Sequence, residues 1–469
     1  MSTLKNESPS IQKIHLIGIC GTAMGSVAGM LHDLGYQVTG SDERVYPPMS
    51  TFLEHKGIRI MNGYQPSNLD HRPDLIVVGN AISRGNPELE HALDQRLSYM
   101  SLPETLKHFF LRSSHNLVVT GTHGKTTTTS LLAWLFHDAG KAPSFMIGGI
   151  PLNFQQGCQK QSGAHWILEG DEYDTAFFDK RSKFIHYLPE LVIINNVEFD
   201  HADIYANLDE IKKSFRHLVG IVPRNGMIVL NADDPNALDV TRQAHAQLLE
   251  VGFSENAAIR ITDLQAGPDG TSFTLLNTRF TVPLYGRHNV HNTAMTLVAA
   301  HSYQIPLQQL QKSLPAFRGI KRRMEVRGEK AGITVVDDFG HHPTALTETI
   351  AAFRQRYPGR RLWALFEPRS NTTRRAIFQK ELPEALAQAD GVLISAIARA
   401  EQLDPHDRLN VDQVVEDIRK KGRPAWHEAD ANALIERLLP ELKSGDVVAV
   451  FSNGGFDGLI EKLLGRIDS

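Results

Sequence analysis

The stretch from Asn116 to Phe136 constrains this chain more than any other. It reads Asn-Leu-Val-Val-Thr-Gly-Thr-His-Gly-Lys-Thr-Thr-Thr-Thr-Ser and then Leu-Leu-Ala-Trp-Leu-Phe. An apolar β-type run ends at Thr120, a glycine loop follows, and helical apolar spacing starts at once. That is the strand–loop–helix context of a phosphate-binding loop. Gly121 and Gly124 let the backbone turn sharply and bring N–H groups close to phosphate oxygens. The new helix N-terminus adds partial positive charge. Lys125 supplies a full charge and Thr126 a hydroxyl for Mg²⁺, with Thr122, His123 and Thr127 completing the loop. The usual pattern has a glycine five residues before the second one, and Val119 stands there instead. A polar turn before an ordinary helix is the plainer reading, but with both flanks correct a bound nucleotide is expected.

A length of 469 residues predicts about three domains at roughly 150 residues each. With 41% hydrophobic and 22% charged residues, the chain can bury several cores. A net charge of −4 without a basic block argues against nucleic acid as the main partner. Cys20 and Cys158 form neither a disulfide framework nor a metal-ligand spacing, which fits a reducing compartment. Met1–Lys13 is polar and lacks a signal-peptide core, and no apolar run reaches the roughly 18 residues that span a bilayer. The expectation is a cytoplasmic enzyme with no membrane contact and no obligatory protein partner.

The first segment, 1–112, opens with a buried-strand pattern at Ile14 and the loop Gly18-Ile-Cys20-Gly21-Thr22-Ala23-Met24-Gly25. Ser26 to Leu34 predicts a helix, Gly35 its stop, and Gln37 to Asp42, through Ser41, a second strand. This is a β-α-β unit. The dinucleotide fingerprint G-x-G-x-x-G is absent, which speaks against a nicotinamide enzyme, yet the loop can seat a diphosphate at a helix start. Asp42 can take a ribose or base, or simply end the strand. A further strand at 75–78 leads to Asn80, Ser83 and another helix. The segment reads as a domain for a second nucleotide-bearing molecule.

In the middle segment, 113–316, two apolar runs end in acidic clusters: His165-Trp-Ile-Leu-Glu-Gly-Asp-Glu-Tyr-Asp174 and Leu191-Val-Ile-Ile-Asn-Asn-Val-Glu-Phe-Asp-His201. Carboxyl ends of parallel strands line the ligand crevice, so Glu169, Asp200 and His201 are expected to face Lys125 and Thr126. Acidic groups there can hold Mg²⁺ against ATP. Asp171, Glu172 and Asp174 read equally well as a solvated loop. His201 is a poor Mg²⁺ ligand; it serves a softer ion or orients a group beside the metal. Residues 269–283 predict a small antiparallel excursion. His288, Asn289 and Asn292 precede or open a strongly helical run, where the amides can read an adenine edge or cap the helix.

The last segment, 317–469, begins with the basic run Phe317-Arg-Gly-Ile-Lys-Arg-Arg323-Met-Glu325, a solvated face or a linker reaching nucleotide phosphates. Four further apolar runs end in polar loops, carrying Asp337-Asp338-Phe-Gly-His341-His342-Pro343, Glu367-Pro-Arg369-Ser370-Asn371-Thr372 and Asn453. A third α/β domain follows, with strand ends suited to an anionic, amide-rich ligand.

Taken in order, the motifs at 18–25, 121–127, 195–201, 286–292 and 337–343 resemble the Mur ligases, ATP-dependent amide ligases of peptidoglycan, over nearly the whole chain. The resemblance implies three α/β domains: a Rossmann-like UDP-binding domain, a central P-loop ATPase-type domain and a Rossmann-like C-terminal domain. It implies that Lys125, Glu169 and His201 are catalytic, that Thr126, Glu169 and His201 hold Mg²⁺, and that Asn289, Asn292, Arg323 and Asp338 join Gly121–Thr127 in contacting ATP. It assigns the UDP-sugar to Gly18, Cys20–Gly25, Ser41, Asp42, Asn80 and Ser83, and the peptide to His341, His342, Arg369, Ser370 and Asn371. The runs at 169–181 and 367–372 are most similar to the branch that joins UDP-N-acetylmuramate to the cell-wall tripeptide L-Ala-γ-D-Glu-meso-diaminopimelate, with the L-alanine-adding branch as the alternative. Several members carry a carbamylated lysine after the His motif. Arg216 stands near that spacing, with Lys212 and Lys213 earlier, and the role is not carried over.

Overall fold

The computed structural model describes residues 11–47 and 49–467. Of the polar leader Met1–Lys13, the part up to Ser10 lies outside them. Three open sheets follow one another along the chain. The first is all parallel, with spatial order Arg59–Asn62, Gln37–Asp42, Lys13–Ile17, Leu75–Val78, Tyr99–Ser101. The chain runs outward from Lys13–Ile17 in one direction, then returns to its other side at Leu75–Val78. A crevice opens where the direction reverses, at the carboxyl ends of these two neighbours, and it is bordered by Gly21–Met24 and Asn80.

The central sheet has eight strands, ordered Ile259–Arg260, Gln247–Gly252, Met227–Asn231, Leu191–Ile194, His115–Thr120, His165–Glu169, Ser144–Met146, Cys158–Gln159, antiparallel only at the last pair. His115–Thr120 sits mid-sheet, buried on both faces as its apolar run requires. Its neighbours are the two strands whose sequences end in acids, so topology brings Glu169 and Asn195–His201 to either side of the phosphate loop. A three-stranded antiparallel sheet, Thr262–Gly267, Gly270–Leu275 and Thr278–Val282, is appended. Its first strand is almost wholly exposed and carries no apolar alternation, so it lies outside the excursion predicted at 269–283.

The third sheet runs Glu325–Lys330, Ile333–Asp338, Val447–Phe451, Leu362–Phe366, Gly391–Ser395, Ala425–Glu428, with only the first strand antiparallel. Its two apolar faces draw on residues from Met324 onward. The first two domains differ in this respect: one apolar cluster runs from Ile14 through Leu106, Phe110 and Leu111 to Trp166 and Phe215. The N-terminal and central domains are thus joined by a continuous core, and the C-terminal domain is not. Among the described residues no helix is long and apolar enough to cross a membrane.

Candidate active site

Thr120 ends its strand and the chain turns through Gly121 at φ +136° and Gly124 at φ +78°. Both need glycine on two counts. The left-handed conformation excludes ordinary side chains. A Cβ on Gly121 would lie 2.9 Å from Asn195 Cβ, and one on Gly124 would lie 2.6 Å from Asn292 Nδ2. The helix Lys125–Asp138 then begins without any side-chain cap, leaving its first amides for an anion. Not every loop amide is available. Asn196 takes two of them, with its carbonyl accepting from Thr122 N–H at 3.1 Å and its Oδ1 from His123 N–H at 2.8 Å. The backbone donors left for an anion are those at the Gly124–Thr126 end.

Lys125 Nζ donates to the Gly121 carbonyl at 2.7 Å and to both oxygens of Glu172 at 2.9 and 2.8 Å. Glu172 is only 2% exposed. Its Oε1 also accepts from His201 Nε2 at 2.9 Å. Burial pulls the Lys125 ammonium down, but Glu172, Asp171 and Glu169 outweigh it and hold its pKa above the usual lysine value. For His201 burial also lowers, while the bond to Glu172 and the Asp200 charge raise, with a net shift upward. Burial raises Glu172, and the two cations more than reverse this. The solvated-loop reading of Glu172 is therefore wrong: it is the buried anion between two cations. The sequence hid it because three acids of the same run looked alike. Of the others, Asp171 pairs with Lys183 at 2.6 Å and Asp174 with Lys180 at 2.7 Å.

Glu169 lies on the other side of the loop, accepting from Thr126 Oγ1 at 2.9 Å and from Gly148 N–H at 2.7 Å. Burial raises its pKa, and the opposing hydrogen bonds and Lys125 do not cancel that. A half-buried carboxylate short of positive charge beside a hydroxyl is a donor set for a hard cation. His201, the third residue of the expected metal set, is hydrogen-bonded to Glu172 at 2.9 Å and not to either of these two.

Lys125, Thr126, Glu169 and His201 line one cleft of about 1170 Å³ that reaches all three domains. From the first domain it is bordered by Gly21, Thr22, Ala23, Met24 and Asn80, and from the third by Arg323, Asp338, His341, His342 and Thr344. Other expected contacts lie elsewhere. Ser41 is fully buried and donates to Glu88 at 2.9 Å. Gly25 is inside the helix Thr22–Asp33, its N–H on the Gly21 carbonyl, with Met49 packed where a Cβ would be. Neither side faces the cleft, so both are corrections to the UDP-sugar set. The helix also starts four residues before the predicted Ser26, because Gly25 is a packing position and not a loop residue. Asp42 uses its carboxylate to hold the first loop, through Cys20 N–H at 2.9 Å and Arg44 N–H at 3.1 Å. Gly18, Cys20 and Ser83 are not at the cleft wall.

Neither Asn289 nor Asn292 caps the helix Arg287–Ser302, whose N-cap is Gly286. Asn292 packs on Gly124, and Asn289 Nδ2 donates to the Tyr285 carbonyl at 2.7 Å. Beside them Phe253, missed in the sequence, lies 3.6 Å under the Arg287 guanidinium and stacks with His291. It gives the cleft an aromatic wall. Within the basic run, Arg322 is committed to Asp337 and to the Ser452 and Gly454 carbonyls, leaving Arg323 as the member at the cleft. Both Asp338 oxygens accept backbone N–H groups, of Gly340 at 2.7 Å and Met324 at 2.9 Å. The peptide set is split: His341 and His342 line the cleft, while Arg369 bonds Glu367, Ser370 pairs with Thr373, and Asn371 donates to Asp203 at 2.8 Å outside it. Arg216 and Lys212 both pair with Asp239, away from the cleft.

Three segments match known domains in sequence order. Residues 13–113 match the Mur ligase family, catalytic domain; 119–300 the Mur ligase middle domain; and 322–454 the Mur ligase, glutamate ligase domain. The chain belongs to the Mur ligase family. It is an ATP-dependent ligase of the kind that forms amide bonds. It is 40% identical to the UDP-N-acetylmuramate–L-alanyl-γ-D-glutamyl-meso-2,6-diaminoheptandioate ligase of Escherichia coli K12, covering 96% of this chain and 97% of the relative. It is 32% identical to the UDP-N-acetylmuramate–L-alanine ligase of Geotalea uraniireducens, covering 97% and 99%. The crystal structure of a murein peptide ligase from Psychrobacter arcticus superposes with a TM-score of 0.71 at 35% identity, covering 98% of this chain and all of that one. The Mur ligase frame explains why one cleft takes walls from three domains: a nucleotide, an acid and an amine must meet in it.

Proposed function

We propose that this Mur ligase joins the lactyl carboxylate of UDP-N-acetylmuramate to the α-amine of L-alanyl-γ-D-glutamyl-meso-diaminopimelate, at the expense of ATP. The observation that carries the reading is the closeness over nearly the whole chain to the relative named for that activity, set beside a cleft lined by Lys125 and by residues of all three domains.

The chemistry follows from the groups present. A carboxylate is unreactive toward amines in water. Its oxygen attacks the γ-phosphorus of ATP, the bond to the β-phosphate oxygen breaks, and ADP leaves with an acyl phosphate formed. The peptide amine adds to the acyl carbon, phosphate departs, and the amine loses a proton. A free α-amine titrates near 8, so a useful share is already neutral. Lys125 neutralises charge on the transferring group, and the helix start at Gly124–Thr126 positions it. Thr126 and Glu169 would hold Mg²⁺, which would offset phosphate charge when bound. In the free enzyme Glu172 occupies Lys125. An arriving phosphate takes over the lysine, and Glu172 keeps His201 as its partner. Closure of the C-terminal domain shields the acyl phosphate from water.

The test is isotopic. With ¹⁸O in the lactyl carboxylate, one label is expected in the inorganic phosphate released with each amide bond; unlabelled phosphate overturns the mechanism. Offering the tripeptide and free L-alanine separately decides the amine, and turnover with L-alanine alone would move the chain to the other branch.

A further inference from the structure

Where the phosphate loop meets the C-terminal domain, three side chains converge to which the ligase chemistry gives no metal-binding role. His123 comes from the phosphate loop, Glu198 from the loop after Leu191–Ile194, and His342 from the start of the helix Pro343–Arg356. Their nearest ligand-type atoms all lie within 4.8 Å of one another. Glu198 Oε2 is 3.2 Å from His123 Nε2 and 3.7 Å from His342 Nδ1. For zinc–nitrogen bonds of about 2.0–2.1 Å, the edges of a tetrahedron are about 3.3 Å, so the two contacts bracket a coordination edge.

The tautomer of His342 makes the case. Its Nε2 faces the Phe199 carbonyl at 3.2 Å and must carry the proton to donate there. Its Nδ1 then bears the lone pair, and it accepts a long bond from Thr344 N–H at 3.3 Å. That lone pair is turned toward a carboxylate oxygen, which is also only an acceptor. Glu198 Oε2 accepts from His123 Nε2 at 3.2 Å and from Thr344 Oγ1 at 2.8 Å, and a metal ion between the three side chains would take the place of the His123 proton. The surroundings are arranged as metal sites require. The Phe199 carbonyl orients His342, Thr344 Oγ1 holds Glu198 Oε2 at 2.8 Å, and the Glu198 backbone is fixed through Thr122 Oγ1 at 2.8 and 3.1 Å. A second His–carboxylate cluster, Glu104–Asp179–His186, lacks this character, because Arg181 already neutralises Asp179 through two contacts of 2.9 and 2.7 Å.

We propose that His123, Glu198 and His342 form a site for a divalent transition-metal ion of the zinc class, with its fourth position open to the cleft. Two nitrogen donors select such an ion over Mg²⁺. Two ligands stand on the central domain and one on the C-terminal domain, so an occupied site clamps them together across an otherwise polar interface.

The test uses chelator-treated full-length protein titrated with Co²⁺, followed by the visible absorption of a four-coordinate ion, with Zn²⁺ as displacing ion. One equivalent per chain is expected. His342→Gln and Glu198→Gln should each weaken binding by about tenfold or more, while His186→Gln leaves it unchanged. Circular dichroism checks the fold of each variant. X-ray absorption on the zinc-loaded unmutated protein is independent of any variant and should show two imidazoles. An all-oxygen shell, full affinity in His342→Gln, or no stoichiometric binding overturns the proposal. None of these readouts depends on ligase turnover.

Discussion

At the scale of single residues, the site is a balance of buried charges around Lys125. Lys125→Ala removes the charge that faces the phosphates and should lower kcat by about 10²-fold or more, as for one electrostatic stabiliser; steady-state rates at saturating substrates check it. Glu172→Gln tests the other half of the pair. Lys125 and Glu172 are 14% and 2% exposed at their side chains, so removing one partner leaves a buried cation and should cost about 3 kcal/mol, read as a lower Tm. ATP should then raise the Tm of Glu172→Gln more than that of the unmutated enzyme, because the triphosphate supplies the missing anion where otherwise it must displace one. Equal ATP shifts in both proteins would remove Glu172 from the phosphate position. Lys125 and Glu169 were legible in the sequence because a motif and a strand end fixed them. Glu172 was not, since the turn after Glu169 decides which of three neighbouring acids points inward, and that turn is set by tertiary contacts.

At the scale of elements, apolar runs bounded by glycine or acids gave the central strands such as Leu75–Val78 and Leu191–Ile194, while strands such as Arg59–Asn62, Tyr99–Ser101, Gln247–Gly252 and Ala425–Glu428 were not predicted. The misses have a common cause: a position judged by its own residue type when a neighbour decides it. Gly25 read as loop and is helix under Met49; Thr262–Gly267 has no buried face to betray it. Glycines separate accordingly. At Gly35, φ is +93° but nothing lies within 4 Å of a Cβ, whereas at Gly124 the Cβ would meet Asn292 and Asn195. Gly35→Ala should lower Tm modestly with kcat/KM for ATP intact, and Gly124→Ala should lower kcat/KM for ATP by tenfold or more. Similar kinetics in the two variants would deny the loop its need for close approach. The far end of the central sheet carries a pH liability. His165 opens the strand His165–Glu169 among Phe136, Tyr303 and His115. Burial, then Lys141 and His115, lower it to about 4. A lowered folded value means that the unfolded chain binds the proton more readily. The contribution to stability is therefore full above about 6.5 and is lost as pH falls toward 4. Melting curves across that window should fall less steeply for His165→Leu than for the unmutated protein; parallel curves would mean that the ring titrates normally in the fold.

At the scale of the molecule, the two domain boundaries are physically unlike. Near residue 113 the chain passes through Phe110 and Leu111, both buried in the cluster that continues to Trp166. Opening there would expose apolar surface at roughly 25 cal/mol per Å². Across the second boundary the facing contacts are polar: Thr372 to Asp200 at 2.7 Å, Asn371 to Asp203 at 2.8 Å, Thr344 to Glu198 at 2.8 Å and Gly286 N–H to Gln355 at 3.0 Å. Water replaces such bonds at small net cost, which predicts that the C-terminal domain is the part that swings. Removing two of the contacts in Asn371→Ala/Thr372→Val should enlarge the radius of gyration of the free enzyme in small-angle scattering, with ATP and the UDP-sugar drawing it back. Phe110→Ala should instead lower Tm, by the equivalent of about 3–5 kcal/mol for a buried aromatic, without changing the free enzyme's dimensions. If Phe110→Ala opens the molecule and the polar pair does not, the motion belongs to the first boundary, and the acyl phosphate must be sheltered by the N-terminal domain instead.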